Sequence, residues 1–168
     1  KNISLNKVDN IKIFNYIMSD KNSDEYISDS FGTENFTLKE KKEGFVKNKS
    51  IKLMDLIKNN DINQIDFLKI DIEGSIPKLS KDLTYLWKNK KINFCALSIE
   101  KNSFQSYFEI IDTFTRNSIM YEIDPNSEFR KKISKEYLVK KLKKELGLNY
   151  QSNRFNSTEV VFEREDFN

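Results

Sequence analysis

The chain has 168 residues, enough for one domain with a real core, and its 29 basic and 26 acidic side chains leave a net charge of only +3. Charge so nearly balanced argues weakly for a nucleic acid or a membrane surface as partner. Histidine is absent, which excludes Ser-His-Asp and Cys-His nucleophile systems, histidine zinc sites and an imidazole base.

In chain order, residues 11–18 mix apolar and β-favouring types and stop at the turn formers 19–24, which predicts a strand and a loop. Residues 25–28 predict a short returning strand. Residues 29–44 hold two of the four glycines and much charge without period, a surface excursion. Ser50 then stands before Ile51, Leu53, Met54, Leu56 and Ile57, one helical face with Ser50 as candidate N-cap. The helix ends near Asn59 and leads to residues 65–71, whose apolar run suits a strand covered on both faces.

After Gly74, Ser75 is placed to cap a helix with Pro77 in its first turn and Leu79, Leu83, Leu86 and Trp87 on one face. Residues 92–99 repeat the buried-strand character and end at Glu100. Phe104, Tyr107, Phe108, Ile111 and Phe114 then mark a helix. Residues 118–123 and 158–162 predict two more strands, separated by a helix over 134–146 that Gly147 closes. Strand and helix in alternation predict an α/β fold with parallel strands, and no repeat or linker divides the single domain 1–168.

Cys95 lies in an apolar run and reads as a buried small side chain, and one cysteine cannot form an intrachain disulfide. No apolar run approaches the roughly 20 residues that span a bilayer and no signal pattern opens the chain, so the expectation is a soluble, cytoplasmic protein. The lysine-rich segment 131–145 reads as belonging to an ordinary amphipathic helix with a solvated lysine face, Leu138, Leu142 and Leu146 lying along one stripe. A polyanion-binding face is its alternative.

Parallel strands would bring their C-terminal ends to one rim, where open α/β sheets bind ligands. Ser19 and Asp20, then Asp71 and Glu73, then Glu100 fall there, with Glu100 on the substrate side. A carboxylate there can orient or deprotonate a hydroxyl. The plainer readings are a helix N-terminus favoured by Asp71 and Glu73, a surface role for Glu100 and a turn residue at Asp20.

The segment Lys69-Ile70-Asp71-Ile72-Glu73-Gly74, with the Leu-rich helix after it, the strand ending Leu97-Ser98-Ile99-Glu100 and the closing Glu159-Val160-Val161-Phe162-Glu163, resembles the FkbM family of methyltransferases over roughly residues 1–164. The resemblance implies a Rossmann-like class I methyltransferase sheet, mostly parallel with an antiparallel last strand. It also implies S-adenosylmethionine as cofactor and O-methyl transfer to a sugar, polysaccharide or natural-product hydroxyl. By position, Asp71 and Glu73 are its catalytic pair, facing methyl donor and acceptor, and Ser19 and Asp20 lie near the cofactor adenine.

The chain departs from that family twice. Ile76 stands where a glutamate is usual, and none of the glycines at 32, 44, 74 and 147 forms the glycine-rich turn that holds the methionine part of the cofactor. The expectation is the C-terminal part of a methyltransferase domain, lacking the N-terminal cofactor-loop strands, with residues 1–10 matching the helix after the second strand. The alternative is a non-catalytic interaction module that has lost the cofactor half.

Overall fold

The computed structural model describes residues 9–28, 37–38, 43–72, 75–100, 106–123, 130–146 and 157–167. Gly32, Glu73, Gly74, Phe104, Gly147 and most of the predicted excursion over 29–44 lie outside them.

The first part of the chain forms a four-stranded sheet from β1 (Ile17–Met18), β2 (Ser23–Ser28), β3 (Thr37–Leu38) and β4 (Phe45–Ile51), in the order β1-β4-β2-β3. β1 runs parallel to β4, and β2 pairs antiparallel with β3 and β4. The strand expected over 11–18 is thus regular only at its last two residues. Gly44, at φ 77°, makes the turn into β4, a left-handed conformation that a side chain would strain.

Ser50 is not the predicted cap. It is buried in β4 opposite Ser23, accepts the Ser23 N–H at 3.1 Å, and its hydroxyl lies 3.0 Å from the Lys21 and Ser23 carbonyl oxygens. The strand therefore runs on through Ile51, and helix α1 spans Leu53–Lys58. Its exposed amides find partners from elsewhere: Asn22 Oδ1 accepts from the Lys52 N–H at 2.9 Å and Asp82 Oδ2 from the Met54 N–H at 3.0 Å. Sequence spacing finds local caps, and these caps are tertiary.

The second sheet holds β5 (Ile65–Ile70), β6 (Ile92–Glu100), β7 (Ser118–Ile123), β8 (Arg130–Ile133) and β9 (Ser157–Arg164), in the order β5-β6-β9-β7-β8. Only β5 and β6 are a parallel pair; β9 lies antiparallel between β6 and β7, and β8 antiparallel to β7. Both sheets are mixed, so the architecture is α/β with parallel crossovers confined to β1 with β4 and β5 with β6. Ile76–Leu79 form a 3-10 turn that leads into α2 (Ser80–Lys88), followed after β6 by α3 (Phe108–Phe114) and after β8 by α4 (Lys135–Leu146).

One face of the five-stranded sheet carries the core. Leu83, Leu86 and Trp87 of α2, Ile110 and Phe114 of α3, and Leu138 and Leu142 of α4 are buried over Leu97, Val160 and Phe162. Trp87 stacks on Phe114 with centroids 4.3 Å apart, and Phe162 meets Phe114 edge-on at 5.3 Å. Such pairs add about 0.5–1.5 kcal/mol beyond area burial. Of the predicted stripes of α2 and α3, Leu79, Leu83, Leu86, Trp87, Tyr107, Ile111 and Phe114 lie in the core and Phe108 faces solvent, while Phe104 lies outside the described residues.

β5 differs from its expectation. It lies at an edge of its sheet rather than between covered faces, and Phe67 is 58% exposed while Ile70 is buried. An apolar run signals burial but cannot say on how many faces. Cys95 is fully buried, and that burial pushes its thiol well above the usual range, as expected of an inert packing residue.

Candidate functional site

The rim follows from the registers. β5 and β6 run in parallel with Ile70 opposite Leu97, so Asp71 leaves β5 level with Ser98. Ser98 lies opposite Glu159, Glu159 opposite Ile123, and Ile123 opposite Arg130. One row therefore crosses the C-terminal ends of β5, β6 and β7, from Asp71 at one edge to Arg130 at the other. Neighbouring side chains of a row share a face. Ile70, Leu97 and Val160, one level down, belong to the buried face, so the row lies on the face away from the helices.

Asp71 is half-exposed, and its carboxylate sits 3.6 Å from the equally exposed ammonium of Lys69. A pair this open and loose contributes under about 1 kcal/mol. It leaves the carboxylate free to accept a hydrogen bond from a hydroxyl. Glu100 ends β6 on the same rim, opposite Ser157 and two residues beyond the level of Asp71, about 7 Å further along the strand. The Glu100 side chain and all of Glu73 lie outside the described residues.

Ser19 and Asp20 follow β1, in the other sheet, so the expected single-sheet rim is divided. No hydrogen bond or ion pair joins either residue to Asp71 among the described residues. The link runs through helices: Asn22 Nδ2 donates to Asp55 Oδ2 of α1 at 2.7 Å, and Asp82 in the first turn of α2 takes the amide of Met54. These contacts lead from the Ser19–Asn22 loop through α1 to the first turn of α2, the helix that follows β5 in the chain.

Ser19 is buried, its N–H donates to the Ile51 carbonyl at 3.0 Å, and its hydroxyl donates to the buried carboxylate of Glu25 at 2.7 Å. That hydroxyl is engaged inside the fold, whereas the neighbouring Asp20 is exposed. Sequence reading missed Glu25, a charged residue in a short strand of ordinary appearance. It also missed Glu159, whose place in the row depends on the antiparallel insertion of β9. A shallow, open depression of about 390 Å³ lies nearby on the four-stranded sheet, lined by Tyr16, Asn22, Ser23, Lys49 and Ser50. Asp71 is not part of it. Among the described residues no three acidic or thiol groups gather as a metal site, and no helix is long and apolar enough to cross a membrane.

A mixed α/β chain with an exposed carboxylate where a parallel strand ends, before a 3-10 turn and a helix, is built as group-transfer domains of the α/β class are. The family model described as the Methyltransferase FkbM domain matches residues 3–122, most of the chain and all of β1 to β6, and the chain belongs to that family. No curated protein and no solved structure matches it.

Proposed function

We propose that this chain is an S-adenosylmethionine-dependent O-methyltransferase whose acceptor is a hydroxyl of a sugar, polysaccharide or natural product. The observation that carries the reading is the family match across the segment in which Asp71 leaves β5 as an accessible carboxylate.

The donor set suits the cofactor in part. Asp20 is an exposed carboxylate able to accept from adenine amino or ribose hydroxyl groups, and Asp71 is likewise open. Ser19 does not fit as a direct ligand, since its hydroxyl is given to Glu25; its role is to hold the turn that presents Asp20. When bound, the cofactor supplies an electrophilic methyl group. With the cofactor bound, Asp71 and Glu73 would orient the acceptor hydroxyl, one of the two carboxylates would take its single proton as the methyl group leaves sulfur for that oxygen, and Glu100 would hold the acceptor from the neighbouring strand. Positioning of this kind supplies up to about 7–11 kcal/mol of a barrier in favourable intramolecular cases.

A non-catalytic module of the same family is the second reading. It is favoured by Ile76, which takes the place of a glutamate in the family pattern and is packed into the core at 1% exposure. Calorimetric titration with S-adenosylhomocysteine separates the two. Micromolar binding, weakened in Asp20→Ala, supports the enzyme, and absent binding by the folded chain supports the module.

A further inference from the structure

Residues 130–146 contain eight Lys and Arg against two Glu, a net +6 in a chain whose total is +3, so the remainder is net negative. The fold places this charge on β8, at the edge of the five-stranded sheet opposite β5, and on α4, which Tyr137 and Lys141 tie to Glu122 of β7. Two of the cations serve the fold itself: Lys135 meets Asp112 at 2.6 Å, and Lys141 pairs with Glu122. Arg130, Lys131, Lys132, Lys140 and Lys143 are exposed and have no carboxylate partner among the described residues.

Lysine on an edge strand guards it against pairing with other chains, which accounts for one or two residues of β8. It does not account for Lys140 and Lys143 on α4, a helix that is not part of the edge. Nor is α4 built to enter a lipid surface, because Leu138 and Leu142 on its apolar side are fully buried.

Two rings stand among these cations. The Arg130 guanidinium lies 4.5 Å from the centroid of Tyr121, and Lys131 Nζ lies 4.6 Å from that of Tyr137. A ring face beside cations offers apolar contact to a sugar ring and charge to its anionic substituents. Arg130 also ends the row that begins at Asp71. Four inter-strand steps of about 4.8 Å separate them, roughly 19 Å in all. Glu159 stands in mid-row and repels an anion there, so anionic groups are confined to the β8 end.

We propose that the acceptor is an extended glycan bearing phosphate, sulfate or carboxylate groups, which Arg130, Lys132 and Tyr121 hold on the face of the row while the hydroxyl to be methylated lies at Asp71, the cations of Lys131 and α4 taking further anionic groups where the glycan passes around the β8 edge. The inference rests on the methyltransferase reading for the role of Asp71. The basic edge itself can be tested separately.

Titration of the full chain with heparin and polygalacturonate oligosaccharides, neutral dextran and an oligouridylate of matched charge tests it. Both acidic glycans are expected to bind and dextran not to, with affinity falling about tenfold or more between 50 and 200 mM salt. In R130E/K132E/K140E, at three exposed positions, binding falls at least as far, with circular dichroism and melting unchanged. The salt dependence of the unmodified chain is a second readout if the variant fails to fold. Binding of dextran, equal binding of oligouridylate, or retention of glycan binding by the folded variant overturns the proposal. S-adenosylhomocysteine titrated into the same sample keeps the readings apart. Cofactor binding without glycan binding removes the acceptor class alone; glycan binding without cofactor binding leaves a glycan-binding surface and removes the methyltransferase reading.

Discussion

Arg164, buried near the end of β9, donates from Nη1 to the main-chain carbonyl oxygen of Trp87 at 2.5 Å, joining the last strand to the C-terminal end of α2 across 77 residues of sequence. Its guanidinium also pairs with Asp166 and lies 5.3 Å from the Trp87 ring. Arg164→Met keeps much of the volume but removes the charged donor to that carbonyl, which retains the Lys90 N–H at 3.1 Å, and removes both charge contacts. The expected loss is about 1–3 kcal/mol, seen as a lower denaturant midpoint with an unchanged m value. An unchanged midpoint would show that the Lys90 amide alone satisfies the carbonyl.

Ser19 and Glu25 make the second prediction. Ser19→Ala leaves a buried carboxylate without its hydroxyl donor, at a cost of about 1–3 kcal/mol, whereas Glu25→Gln keeps an acceptor for that hydroxyl and costs less. If Ser19 holds the turn that presents Asp20, Ser19→Ala also weakens S-adenosylhomocysteine binding at temperatures where the variant is fully folded. A variant that loses stability but binds normally would remove the positioning role.

For the reaction itself, Asp71→Asn is nearly isosteric, and the exposed side chain bears little load in the fold. Stability should change by under about 1 kcal/mol. Methyl transfer by a chain that binds cofactor should fall about 10²–10⁴-fold, the usual worth of a positioned proton acceptor. The fall belongs in kcat rather than in cofactor affinity. Undiminished turnover would move the proton acceptor to another residue.

Acid titration tests the corner where α3 meets α4. Hydrogen bonds from Lys135 and Arg116 hold the Asp112 carboxyl down at about 2, below its ordinary value of 3.8. Asp166 is lowered in the same sense, by Lys90 and Arg164. A carboxylate depressed in the folded state contributes stability above its unfolded pKa and loses it as pH falls through the folded one. Stability should therefore decline from about pH 4 toward pH 2. Asp112→Asn should flatten that decline in thermal melts, and an unaltered acid limb would show that the pair is screened by solvent.

Much of the fold was legible because burial leaves a period in sequence. The stripe of α2, Leu138 and Leu142 of α4, the strand 92–99 and the inert Cys95 all follow from where apolar side chains recur, and each of them ends in the core. Asp71 was legible for the converse reason: a carboxylate that closes an apolar strand is conspicuous, and the motif around it led to the family that residues 3–122 match. Strands β4 and β8 were not legible. One is polar and the other mostly lysine and arginine, so neither shows an apolar alternation.

Composition and periodicity by themselves determined the excluded chemistries, the main buried elements and the carboxylate at the end of β5, because these depend on residue type and local spacing. Tertiary structure alone decided that Ser50 pairs in a strand while Asn22 and Asp82 serve the start of α1. It also decided that Ser19 and Asp20 belong to a different sheet from Asp71, and that Glu159 and Arg130 share a row with it. The reason is that caps, sheet membership and register are settled by backbone groups finding partners far along the chain, and a hydrogen bond between distant residues leaves no period in the sequence.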